Sequence, residues 1–268
     1  MRCAWKEMTA LVPEPYRQEA DKHRDTLQEL RLRTGQAAEF VTARGAFFAG
    51  PPVGDSVLRF VVNAASRYSP WAAATATQGY MTAPGGHRIG LCGSVSPTGL
   101  RDLRSVNIRV ARDFPGIGDR LPTVGNILIL GPPGSGKTTL LRDLIRRISR
   151  QEPIAVVDER GELFPEGFDR GLRTDVLNGI GKPDGIGMVL RTMGPNVIAL
   201  DEITDRADCE ALGQALWCGV RLIATAHASC KADLLRRPVY RPLAQSGCFD
   251  TLVILNRDKS WYTERMTL

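Results

Sequence analysis

The 268-residue chain predicts an α/β fold with a mainly parallel sheet, preceded by a smaller α+β N-terminal domain. Three observations carry this. From Val124 onward, continuous apolar runs recur: Asn126–Leu130 (NILIL), Ile154–Val157 (IAVV), Val197–Leu200 (VIAL), Arg221–Ala224 (RLIA) and Thr251–Leu255 (TLVIL). Strands covered on both faces need runs of this kind. Stretches of helical character separate the runs, the alternation of βαβ units. Before Val124 the texture changes to short apolar runs broken by Gly50-Pro51-Pro52, Pro84-Gly85-Gly86 and Pro97-Thr98-Gly99.

In the N-terminal part the spacing predicts helices near Gln18–Arg31 and over Ser56–Ser66. Short strands follow at Gly79–Thr82, His87–Leu91 and Val106–Ala111. Asp113–Gly118 (DFPGIG) has the composition of a linker, which puts the two domains at 1–118 and 119–268. The chain is 43% hydrophobic and 24% charged, which excludes a disordered or collagen-like chain. Its longest uncharged stretch, Tyr68–His87, is too rich in Ser, Thr, Gln, Gly and Pro to span a bilayer. The first residues alternate charge and proline without an apolar core, so no secretory leader is expected. Six Cys (3, 92, 209, 218, 230 and 248) and three His show no metal-ligand spacing. They read as reduced, mostly structural thiols of a cytoplasmic protein without zinc.

Arginine outnumbers lysine 29 to 6 and the net charge is +6, so an anionic ligand fits, although a solvated arginine surface fits equally well. Aromatic residues are only 6% and scattered. Single-strand binders interleave aromatic platforms with their cations, so no nucleic acid is expected as a partner. An activity stimulated by nucleic acid remains the alternative reading.

The chemistry begins at Gly131-Pro132-Pro133-Gly134-Ser135-Gly136-Lys137-Thr138, which fits G-x-x-x-x-G-K-[ST], with Thr139 next in line. The glycines let the loop wrap so closely that successive backbone N–H groups point at phosphate oxygens. The following helix adds its positive N-terminal end. NILIL supplies the preceding strand and Lys137–Ser149 the helix. Leu140, Leu141, Leu144, Ile145 and Ile148 form one stripe of that helix, with Arg142, Arg146, Arg147 and Arg150 largely outside it. Residues 131–139 are therefore assigned to ATP, with Lys137 reaching the β and γ phosphates and the Thr138 hydroxyl on Mg²⁺.

Asp201 and Glu202 follow VIAL. An acid at the carboxyl end of a buried strand can hold Mg²⁺ from across the loop, and the next carboxylate can polarise the attacking water. A kinase-like enzyme does not need the second acid, so the pair favours hydrolysis. The separation from the phosphate loop suits a core with at least one strand between the two motifs, and Ile154–Val157 supplies one. That strand also ends in acids, Asp158 and Glu159. Either could assist the water, or cap the strand end against Arg160. His227 follows RLIATA, where it can contact the γ-phosphate or its water. Among Arg160, Arg173 and Arg191, one is expected to stabilise transition-state charge; Arg191 joins Glu202, Glu159, Asp158 and His227 in the expected catalytic set.

With those residues in view, NILILGPPGSGKTTLLRDLIR, VVDERGEL, GLRTDVLNGIGKPDGIGMVLRTMGPNVIALDEI and LIATAHA resemble, in order, the core of the stage III sporulation protein AA ATPases. The upstream LQELRLRTGQ, GYMTAPGGHRIGLCGSV and VNIRVARDFPG resemble that family's N-terminal region. The resemblance implies kinship with the traffic ATPases of type II and type IV systems: RecA-like P-loop motors that work as hexameric rings, with an N-terminal domain joined to the core. Their phosphate loop, acidic box, acidic second motif and histidine box fall on Gly131–Thr138, Asp158–Glu162, Asp201–Glu202 and His227. Secretion ATPases usually carry Gly-Glu-Ile-Arg-Asp at the second motif, where this chain has Asp201-Glu202-Ile203-Thr204-Asp205. The resemblance further implies that Arg109 and Arg112, or more weakly Arg88, approach nucleotide across a subunit boundary. It also implies partners among membrane proteins of a channel linking mother cell and forespore, served from the mother-cell cytoplasm.

Overall fold

The computed structural model describes residues 3–67, 79–96, 99–165 and 167–266. Residues 68–78, most of the uncharged stretch noted above, lie outside them. The chain divides into two compact units, Met1–Asp113 and Phe114–Leu268.

In the first unit, helices α1 (Trp5–Ala10), α2 (Tyr16–Lys22) and α3 (Asp55–Ala65) accompany six strands. These are β1 (Leu27–Arg33), β2 (Ala38–Thr42), β3 (Gly45–Ala49), β4 (Tyr80–Thr82), β5 (Arg88–Ser96) and β6 (Gly99–Arg109). They form one antiparallel sheet in the order β3-β2-β1-β6-β5-β4. Trp5, Met8, Leu58 and Val61 of the helices share a buried core with Leu30, Leu32, Phe40, Ile89 and Ile108 of the strands.

The expected helix over Gln18–Arg31 is half wrong. The chain leaves α2 at Lys22 and enters β1, the strand between β2 and β6. Leu, Gln, Glu and Arg are good helix formers, but here Leu30 and Leu32 alternate inward while Arg31 and Arg33 turn outward. There they pair with Glu29 at 2.7 Å and Glu39 at 2.6 Å. Pairing on both edges of the strand overrides local propensity.

The second unit contains β7 (Ile127–Leu130), α4 (Lys137–Ile148), β8 (Ile154–Asp158), β9 (Thr174–Asn178) and α5 (Lys182–Thr192). It continues with β10 (Val197–Ile203), α6 (Arg206–Trp217), β11 (Arg221–Ala226), α7 (Lys231–Arg236), α8 (Arg241–Gln245), β12 (Thr251–Leu255) and β13 (Trp261–Arg265). The seven-stranded sheet runs β13-β12-β7-β11-β10-β8-β9 and is parallel except for β13, antiparallel to β12 at one edge. Successive residues of β7 feed two cores: Ile127 and Ile129 pack with Leu140, Leu144 and Ile148 of α4. Leu128 and Leu130 pack on the other face with Ile186 of α5 and Leu212 of α6. Burial on both faces is what the apolar runs require. The strand between the phosphate-loop strand β7 and the acid-bearing β10 is β11; β8, expected there, lies on the far side of β10.

Lying outside the apolar stripe does not expose the arginines of α4: Arg142 and Arg146 are each only 5% exposed. Arg142 donates to the carbonyls of Glu162, at 3.0 Å, and Leu163, and Arg147 to that of Leu121 at 2.9 Å. Residues 114–118 of the expected linker belong to the second unit, because the buried Asp143 of α4 accepts the backbone N–H groups of Gly116 at 2.9 Å and Gly118 at 2.7 Å. Asp143→Ala leaves a buried N–H unpaired and is expected to cost about 2–3 kcal/mol. That is a drop of roughly 5–10 °C in melting temperature, read by circular dichroism; an unchanged melting curve would refute the anchor.

The cysteines are free thiols. Burial pushes the Cys209 thiol up to about 12, as a packing residue requires, whereas Cys218 is exposed. No helix among the described residues is long and apolar enough to cross a membrane.

Candidate active site

The loop between β7 and α4 is shaped by main-chain geometry. Gly136 stands at the N-cap of α4 with φ of +103°, a left-handed conformation that favours glycine. It offers no side-chain cap, so the first-turn N–H groups of α4 are left for an anion. A Cβ on Gly131 would stand 2.5 Å from Ser135 Oγ and 3.1 Å from the Leu255 carbonyl oxygen, so the wrap itself demands glycine there. The buried Ser135 Oγ has no hydrogen-bond partner among the described residues. A capless helix end and an orphaned hydroxyl fit a phosphate chain. Pro132, Pro133 and Gly134 complete the loop, and Thr138 and Thr139 lie in the first turn.

Lys137 is only 7% exposed. Its Nζ donates to the carbonyls of Gly131 at 3.0 Å and Pro132 at 3.1 Å, and lies 3.1 Å from His227 Nδ1. An ammonium has three protons, so all are engaged. Burial holds its pKa below the usual lysine value, against the opposing pull of Asp201 and Glu202.

Thr138 Oγ1 donates to Asp201 Oδ2 at 2.7 Å, joining the phosphate loop to the end of β10. Hydroxyl and carboxylate form an oxygen-donor pair suited to a hard cation. Among the described residues no group of three His, Cys, Asp or Glu could hold a metal by itself. Mg²⁺ keeps waters and takes phosphate oxygens beside one or two protein ligands, a number of donors that the Thr138–Asp201 pair could supply. Sequence reasoning missed Thr225. Buried in β11, it donates through Oγ1 to Asp201 Oδ1 at 2.7 Å and accepts the Glu202 N–H at 2.8 Å. Glu202 has φ of +54°, at a register shift between Leu200 and Ile203. That left-handed backbone costs about 1 kcal/mol for a non-glycine residue, and the Thr225 bond secures it.

Glu202 Oε1 lies 3.1 Å from His227 Nε2, and Oε2 lies 3.6 Å from Arg160 Nη1. Because Lys137 can only donate, His227 Nδ1 accepts and Nε2–H donates to Glu202. The hydroxyl of Tyr240, which donates to the Ile203 carbonyl at 3.0 Å, accepts the His227 N–H at 3.4 Å. Lys137, His227, Glu202 and Arg160 thus form one chain across three strand ends, the carboxyl edge where open α/β sheets place their sites.

Other expected members are engaged elsewhere. Asp158 accepts the N–H groups of Glu162 at 3.0 Å and Leu163 at 2.8 Å, closing its own turn, and burial raises its pKa. Its cap partner is this backbone; Arg160 goes to Glu202. Glu159 pairs with the buried Lys182 at 2.8 Å, and Lys182 also approaches Asp208 at 3.5 Å. Those carboxylates raise the Lys182 pKa although burial pulls it down. Arg191 is not brought to the cluster. It ends α5, about 14 Å along the helix from Lys182, exposed at the opposite edge of the sheet. In the first unit, Arg109 is exposed and lies 3.6 Å from Glu29, while Arg112 donates to the Leu27 carbonyl at 2.9 Å. Arg88 stacks over the Tyr80 ring at 4.9 Å.

The family model for sporulation stage III, protein AA matches residues 14–264. The chain belongs to that family. It is 36% identical over 257 residues to stage III sporulation protein AA of Bacillus subtilis, covering 87% of this chain and 83% of the relative. The fold is shared with the pilus retraction motor PilT, solved with bound ADP: TM-score 0.67 at 16% identity, over 88% of this chain and 76% of that one. The Legionella pneumophila ATPase DotB gives a TM-score of 0.61 at 17% identity, over 92% and 78%. The second unit of this sporulation-family chain is therefore a RecA-like P-loop core, and the smaller α+β unit precedes it.

Proposed function

We propose that this family member hydrolyses ATP, working as a homo-oligomeric ring, hexameric as in the traffic ATPases it resembles. The 2.7 Å hydrogen bond from Thr138 to Asp201 carries the reading, because it sets a hard-cation donor pair beside the phosphate loop. The loop N–H groups and Lys137 bind the β and γ phosphates, with Lys137 exchanging loop carbonyls for phosphate oxygens. Mg²⁺, held by Thr138 and Asp201, would neutralise phosphate charge. Glu202 takes a proton from water as the water oxygen bonds to the γ-phosphorus and the β–γ bridging bond breaks, leaving ADP and phosphate. His227 orients the Glu202 carboxylate, and Thr225 fixes the Asp201–Glu202 pair. Arg109, more exposed than Arg112, is the better candidate to reach a neighbouring subunit's nucleotide.

Family membership supports coupling to a membrane-embedded secretion or channel complex, the mother cell–forespore channel, from the cytoplasmic side. The purified chain is expected to retain ATP in magnesium buffer and to release phosphate. No retention at millimolar ATP would sink the reading; retention without release from assembled protein would reduce it to a nucleotide-gated binding module.

A further inference from the structure

The most exposed large apolar side chains among the described residues are Trp217, Leu172 and Val124, at 86%, 81% and 77%. Val124 and Leu172 lie on connections and Trp217 closes α6, yet all three lie on one edge of one sheet. Register across the parallel strands aligns Ile127, Ile223, Ala199, Val156 and Val176 in one row. Val124, Trp217 and Leu172 each fall a few residues before their strand's member of that row. All three therefore project from the amino edge, opposite the phosphate loop. From β7 to β9 they span four strand spacings, about 19 Å.

Arginines stand between them. Arg120 and Arg170 are exposed on two of the same connections and Arg150 on the one between α4 and β8, and their side chains make no ion pair or hydrogen bond among the described residues. Arg191, which the fold sends away from the nucleotide site, ends α5 at this edge. The edge's acids are partly committed: Glu152 pairs with Arg221, Asp119 lies 4.0 Å from Arg147, Asp250 accepts the Asn126 N–H at 2.6 Å, and Asp169 accepts the Gly171 N–H at 2.9 Å.

We propose that this amino edge docks directly on an anionic lipid bilayer. Separate apolar tips with unpaired guanidinium groups among them suit a plane of anionic headgroups, into which each tip inserts on its own. Tryptophan and leucine enter the interfacial layer, while the arginines complement the negative cytoplasmic leaflet. Nucleic acid fits less well, since only one of the three tips is aromatic. With this edge on the membrane, the phosphate loop faces away from it.

The test is flotation of the full chain, without nucleotide, with vesicles of phosphatidylcholine alone or mixed with phosphatidylglycerol. Lacking nucleotide, it stands or falls independently of the ATPase reading. Binding to the anionic vesicles is expected to be about a hundredfold stronger. The pair Arg150→Glu and Arg170→Glu should lose that gain, and the pair Trp217→Ser and Leu172→Ser should weaken binding about tenfold or more. Brominated lipid should quench wild-type fluorescence more than that of Trp217→Phe, a variant that keeps the ring. Equal binding to neutral vesicles, or no effect of the apolar pair, would overturn the proposal. So would displacement of the vesicles by an RNA homopolymer, or an apolar pair that alters only the oligomeric state.

Discussion

Lys137→Ala is expected to lower ATP binding and turnover together, by about a hundredfold to ten-thousandfold. The ammonium is buried, with its three donors on Gly131, Pro132 and His227. A β/γ-phosphate pair must replace the carbonyl contacts, and each hydrogen bond to a charged group is worth about 1.5–3 kcal/mol. Two such bonds give about 3–6 kcal/mol, and each 1.36 kcal/mol is a factor of ten. Stability should move the other way or stay level, since the substitution removes a buried cation whose burial already opposes its charge. Equilibrium binding of labelled ATP, a phosphate-release assay and a melting curve separate these effects. Wild-type ATP affinity in a folded Lys137→Ala protein would show that the phosphates lie elsewhere.

How far the sequence discloses this site follows from which groups do the holding. Backbone N–H groups need glycine at fixed intervals, so Gly131, Gly134 and Gly136 leave a readable spacing. Asp201 follows four buried apolar residues, but so does Asp158, which closes its own turn; only the fold, through the Thr138 hydroxyl, tells the two apart. Thr225 is invisible by the same logic: threonine within a buried run is an ordinary strand former, and only the neighbouring β10 gives its hydroxyl two partners. Strand order is equally silent. Chain order set β8 between the motifs, whereas β11, formed last of the three, pairs with both β7 and β10 and brings His227 to Lys137. Arg142 lies outside the apolar stripe of α4 yet is buried on loop carbonyls, while Arg191, expected in the catalytic set, ends at the opposite edge. The boundary moved for a related reason, since DFPGIG has linker composition but its N–H groups find Asp143.

Glu202→Gln should separate binding from chemistry. The amide keeps the size of the side chain and can still accept the His227 Nε2–H, so the network linking Lys137, His227 and residue 202 survives. What disappears is the capacity to take a proton from water. A positioned general base contributes about 10²–10⁴-fold, so turnover should fall by that factor while ATP stays bound. Single-turnover phosphate release, with retained ATP measured on the same sample, reads both. Asp158→Asn and Glu159→Gln are the controls. Asp158 is spent on the Glu162 and Leu163 N–H groups and Glu159 on Lys182, so neither is placed to receive that proton. Asp158→Asn trades one carboxylate oxygen for an NH2 group, which cannot accept a backbone N–H, and should lower the melting temperature before it touches the rate constant. A Glu202→Gln protein with normal turnover would move the base to another residue and reduce the His227 contact to an orienting role without catalytic consequence.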